Sequence, residues 1–235
     1  MKFKYEDRQV VKLEKLAREL HIPMLQTSWR FEVIKDGKII KSHKQRSRSW
    51  VRNAYNILLS QFAGINLDSG TGNFGAGYLS LKNYSGTTYD GAAAYAMLNG
   101  VSAEGGSSGY RGSAASTAWG IIVGTSDSVE SFESTALAAL IAEGTGAGAM
   151  NYILGEVPTH SYDGPSKTWT VVHARYINNN SPGAITVNEV GMVDYDPVNA
   201  NFRWLVVRDV LGTPVVVPAG GQLKVSFTFT LVFPG

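Results

Sequence analysis

Gln222-Leu223-Lys224-Val225-Ser226-Phe227-Thr228-Phe229-Thr230-Leu231-Val232-Phe233 alternates apolar and polar side chains, with Val232 the one exception. Successive side chains on a strand face opposite sides. Leu223, Val225, Phe227, Phe229, Leu231 and Phe233 therefore line one face, and Lys224, Ser226, Thr228 and Thr230 the other. Such a strand belongs to an antiparallel sheet that covers a core on one side.

The same strand-and-turn pattern runs upstream to Tyr152. Strands are predicted at Thr168–Ile177, Ile185–Val193, Phe202–Arg208 and Val215–Val217. Between them stand turn formers: Asp163-Gly164-Pro165, Asn178 to Gly183, Asp194 to Asn201, and Pro218 to Gly221. These connections are too short for crossover helices, so the pattern predicts an antiparallel β-sandwich or jelly roll. Ala118–Thr125 reads as a buried strand. Asp127–Glu143 reads as a short helix: Asp127 with Glu130 fits a capping box, and Phe132, Ala136, Leu137, Leu140 and Ile141 recur at helical spacing.

The N-terminal part reads differently. Lys4–Leu20 forms an amphipathic helix with Val10, Leu13, Ala17 and Leu20 on its apolar stripe, stopped before Pro23. Ser28–Ile34 and Lys38–Lys44 flank Asp36-Gly37, a pair suited to a type I′ hairpin turn. Trp50–Ala63 returns to helical spacing, with Gly64 placed to terminate it. Residues 64–124 then hold 14 of the chain's 26 glycines. Phe74, Tyr78, Tyr84, Tyr89, Tyr95 and Tyr110 in that stretch argue for loops packed on a surface, because disordered linkers carry few rings. The chain is thus expected to be mainly β. A helix–hairpin–helix arm is expected at 1–64, glycine-rich loops and short strands at 65–117, and a sandwich core at 118–235.

Composition narrows the chemistry. The 235 residues are 44% hydrophobic, enough for a real core, and only 17% charged, which fits a surface covered by partner subunits and equally a glycine-rich β protein. There is no cysteine, which excludes disulfides, thiolate catalysis and cysteine-bound zinc. The charged N-terminus has no signal-peptide core, and no apolar run is long enough to predict a membrane span. Charge is unevenly placed: residues 1–52 hold 14 Lys and Arg against 6 Asp and Glu, residues 53–235 hold 7 against 13. A basic end on an acidic body can meet nucleic acid, an acidic protein, or the body of another copy.

Lys35, Lys38, Lys41, Lys44, Arg46, Arg48 and Arg52 concentrate that charge around a single acid, Asp36. A solvated hairpin face that discourages edge pairing explains them as well as a protein partner does. Nucleic acid is less favoured, since only Trp50 interleaves a ring among the cations and no base-reading motif is present. Gly70-Thr71-Gly72-Asn73-Phe74-Gly75 matches a dinucleotide fingerprint in letters only, since no strand precedes it. His21, His43, His160 and His173 show no metal spacing, and Asp194 with Asp196 supplies too few ligands for calcium. No catalytic residue, cofactor or metal is therefore expected.

Several stretches resemble structural proteins of tailed bacteriophages. They are Trp50 to Asn56, Trp119 to Thr125, Leu140 to Gly146, Asn178 to Ser181 leading into Ile185 to Gly191, Val207 to Leu211, Val215 to Pro218, and Gln222 to Leu231. The likeness covers most of Lys35 to Phe233. It implies a virion component, assembled in the host cytoplasm from copies of itself and other virion proteins through head or tail contacts, with no reaction to catalyse. Val10, Leu13 and Leu20 with the basic run would then bind partners. A carbohydrate-binding sandwich at a fibre tip, with Trp and Tyr of the glycine-rich loops as its platform, is the alternative; a glycan hydrolase follows behind.

Overall fold

A computed structural model describes residues 2–63, 80–89, 109–195 and 203–233. In chain order the elements are α1 (Lys2–Glu19), β1 (Met24–Lys35), β2 (Lys38–Arg46), α2 (Arg52–Ala63), β3 (Leu81–Lys82), β4 (Thr88–Tyr89), β5 (Gly120–Gly124), β6 (Asn151–Tyr152), β7 (Thr159–Asp163), β8 (Thr168–Asn179), β9 (Ile185–Tyr195), β10 (Arg203–Val217) and β11 (Gly221–Val232). One sheet runs β2-β1-β11-β8-β6, with β7 also on β8; the second runs β10-β9-β5. Every pairing is antiparallel. The glycine fingerprint, Gly64, Asp196 and most of 65–117 lie outside the described residues.

The strand that alternates so cleanly is β11, in the middle of the larger sheet between β1 and β8. Leu223, Val225 and Phe227 face inward with Trp29, Phe31 and Val33 of β1, and all six are buried. They meet Val187, Leu205, Val207 and Val215 of the second sheet in one continuous core. α2 lies against β10, burying Val51, Ala54 and Ile57. The Asp36-Gly37 turn has φ of +49° and +73°, the double left-handed geometry of the expected hairpin.

Three expectations are corrected. The hairpin is no separable arm: β1 lies inside the larger sheet, in register with β11 from Met24↔Val232 to Ile34↔Gln222. The predicted strands Phe202–Arg208 and Val215–Val217 are one strand, β10, whose register shifts between Val210 and Val215. Asp127–Glu143 is not a helix. A buried ion pair claims its backbone instead: Glu189 and Arg208 meet at 2.8 Å with almost no exposure. Glu189 accepts the N–H groups of Ala138 and Ala139, and Arg208 donates to the carbonyls of Ser128 and Val129. Two buried charges require hydrogen bonds on their remaining atoms, which outweighs a modest helical preference.

A second buried cation organises the loops before β5. Arg175 donates to the carbonyls of Ile153, Trp119, Ile121, Ser113 and Ser116, and its guanidinium lies 4.9 Å from the Tyr152 ring centre. Burial draws its pKa down to about 10, so it stays charged at neutral pH. Gly112 sits so close that a Cβ there would stand 2.5 Å from the guanidinium.

His173 is buried with its ring edge-on to Tyr110 and Phe229. Burial, with His160 nearby, lowers its pKa from 6.5 to about 4. Above pH 6.5 the imidazole is neutral whether the chain is folded or not. Between 6.5 and about 4 only the unfolded chain takes up the proton, so stability falls as pH falls. The loss should reach about 3 kcal/mol, checked by urea unfolding across that range. His173→Phe should flatten the profile; an unchanged slope would show that other groups carry it.

Candidate docking groove

The groove exists because the chain changes sheets at Arg48. β2 pairs with β1 as far as Ser28↔Arg46, and the Ser47 N–H still reaches the Thr27 carbonyl at 2.9 Å. Then Arg208 N–H donates to Ser49 O at 3.1 Å and Val51 N–H to Val206 O at 3.2 Å, drawing the chain onto β10. Asp209 fixes this departure. Buried at 1% exposure, its carboxylate accepts Trp29 Nε1 at 2.7 Å, the Ser47 hydroxyl at 2.5 Å and the Arg48 N–H at 2.8 Å. Burial raises its pKa, and those donors pull it back.

Beyond Thr27, no strand among the described residues pairs with the β2-facing edge of Met24–Gln26. An open groove of about 1120 Å³ lies there. Val10, Leu25, Trp50, Tyr55 and Leu58 provide apolar walls, and Lys44, Arg46 and Arg48 bring cations. Glu14 of α1 pairs with Arg46 at 3.7 Å and accepts Gln26 Nε2 at 2.9 Å. Trp50 is held in place by its Nε1–H donating to Thr27 Oγ1 and by ring contacts with Tyr55 and Phe229.

The expected basic stripe is thereby divided. Lys44, Arg46 and Arg48 share the groove with Val10. Lys35 and Lys41 reach back to the carbonyls of Ala219 and Pro214. Lys38 is exposed at the hairpin tip, and Arg52 pairs with Glu133 at 2.7 Å. On α1 the half-buried face is Val10, Glu14 and the fully buried Ala17, while Leu13, Leu16 and Leu20 are 53%, 48% and 58% exposed. Sequence placed Leu58 on the apolar stripe of α2 with Ala54 and Ile57, and did not assign Leu25, Tyr55 or Leu58 to a binding surface; the signal for Tyr55 and Leu58 was that α2 is apolar on both sides, with Ala54 and Ile57 inward and Tyr55, Leu58 and Leu59 outward.

The buried Asp209 and Glu189 serve the fold by holding backbone N–H groups as above, and the half-buried Glu143 accepts Asn151 Nδ2 and the Tyr152 N–H. Among the described residues no cluster of His, Asp and Glu could hold a metal, and no helix is long and apolar enough to cross a membrane. Comparison with family models, curated proteins and solved structures finds no match.

Proposed function

We propose that the chain is a non-enzymatic structural subunit of a tailed-phage virion that assembles with copies of itself and with other virion proteins. The observation that carries this reading is α1: Leu13, Leu16 and Leu20 recur at one helical face and stand about half exposed. A two-layer body offers a stable platform, and a helix docked on it with leucines outward suits burial against a neighbour. The resemblance of Trp50 to Asn56, Trp119 to Thr125 and the strands downstream to phage structural proteins supports the same setting. Replacing Leu13, Leu16 and Leu20 by Ser should leave the fold intact and yield a monomer at concentrations where the wild type self-associates. Sedimentation velocity checks this; a variant that associates as the wild type does would remove α1 from the interface.

One observation favours glycan binding as the second reading. Tyr162 and Trp169 are 54% and 42% exposed, with ring centres 6.0 Å apart, and His160 and Phe233 stand beside them. That aromatic cluster belongs to β7 and β8 and not to the glycine-rich stretch of sequence expected to supply the platform. A strict monomer that binds glycan arrays through Trp169 would favour it.

A further inference from the structure

Burial fades along β11: Phe227 is fully enclosed, Phe229 and Leu231 are half-buried, and Phe233 is exposed. The same row crosses the sheet, because Leu25, Leu231, Trp169 and Tyr162 stand opposite one another on β1, β11, β8 and β7. The inner face of the larger sheet therefore opens to solvent at this end, and rings fill its β7–β8 corner. Trp169 lies 6.0 Å from Tyr162 and 6.4 Å from His160, and Tyr162 lies 6.3 Å from Phe233, centre to centre. The ring planes are tilted by 37°, 58° and 67° in those pairs, so they make no single flat shelf. Their polar tips are idle. Trp29, Trp50 and Trp119 donate their indole N–H groups to Asp209, Thr27 and the Arg111 carbonyl. Trp169 Nε1, the Tyr162 hydroxyl and the His160 nitrogens meet no hydrogen-bond partner among the described residues.

We infer that this corner holds one uncharged hexopyranose unit of a glycan, an assignment that rests on the glycan-binding reading and adds to it a sugar class and its contacts. A pyranose has a face of C–H groups, which seeks the negative face of an aromatic ring, and a rim of hydroxyls that both donate and accept. Trp169 and Tyr162 supply the rings. Trp169 Nε1, the Tyr162 hydroxyl and His160 meet the rim. A few polar groups set among apolar walls is the usual make-up of a small-molecule site. The turn between β7 and β8 carries one acid, Asp163, and one base, Lys167, so no excess charge selects a sugar acid or an amino sugar. A docked protein is the alternative occupant, since Leu25 and Leu231 extend the apolar row. It fits less well, because it would have to match three idle polar groups within one small patch, which a single sugar does with its hydroxyls.

The probe is a printed array of neutral, sialylated and sulfated glycans, read with the labelled full chain. Binding to glycans that present neutral hexose units is expected, and the strongest of them is then titrated by biolayer interferometry. Trp169→Ala should weaken binding about tenfold or more, and Tyr162→Phe, which removes only the hydroxyl, about fivefold. Should Trp169→Ala fail to fold, Trp169→Phe replaces it and should weaken binding about fivefold, since the ring remains and the N–H is gone. Binding confined to sialylated or sulfated glycans overturns the inference and keeps the glycan reading. So does neutral-glycan binding that the Trp169 and Tyr162 variants leave unchanged, which moves the site elsewhere. An array without a hit overturns both. Loss of self-association in Trp169→Ala, read by sedimentation velocity beside an empty array, assigns the patch to a protein neighbour instead.

Discussion

Removal of residues 1–48 is expected to abolish cooperative folding. β1 supplies Trp29, Phe31 and Val33, each 0–1% exposed, to the centre of the core. Burial of side chains this large stabilises by about 1.5–3 kcal/mol each, against a total stability of roughly 5–15 kcal/mol for a domain. The truncation also strips Asp209 of Trp29 Nε1, the Ser47 hydroxyl and the Arg48 N–H, leaving a buried carboxylate without its donors. It further exposes the full length of β11 as an unpaired edge, an invitation to aggregate. Near-ultraviolet circular dichroism and a thermal melt would read the loss. Removal of residues 1–22 alone should leave both signals native, since α1 lies outside the core. A cooperative melt from residues 49–235 would contradict the placement of β1.

Arg175→Met is the point substitution with the largest expected effect. The guanidinium satisfies five carbonyls, from Ser113, Ser116, Trp119, Ile121 and Ile153, and methionine satisfies none. Each buried acceptor left unpaired costs about 1–3 kcal/mol, reduced where the loop relaxes to admit water. A loss of about 4 kcal/mol or more is expected in urea unfolding. Lys38→Met, at an exposed position, should cost under about 0.5 kcal/mol. A loss near 1 kcal/mol for Arg175→Met would mean that the loops before β5 stand without it.

What the chain disclosed of itself follows from the range of its signals. The alternation of 222–233 and the Asp36-Gly37 turn are local, and both appear as written. The partner of β1 lies nearly the whole chain away in β11, and no local pattern names it; a basic, helix-flanked hairpin therefore read as an arm. Helical periodicity in 127–143 was real but weaker than the demands of Glu189 and Arg208, whose meeting is also long-range. Arg175 looked like an ordinary strand cation because its carbonyl partners lie far off in sequence, in β5 and in irregular segments without motif. In the groove, the cationic run was visible and its division was not. Which lysines fold back depends on where the strand leaves its sheet, and Asp209 sets that point.

Self-assembly through an exposed helix is best tested by light scattering on the wild-type chain across a concentration series. The molar mass is expected to rise above 25.3 kDa towards an integral multiple of it. A constant 25.3 kDa at every concentration, with the fold intact, would contradict it.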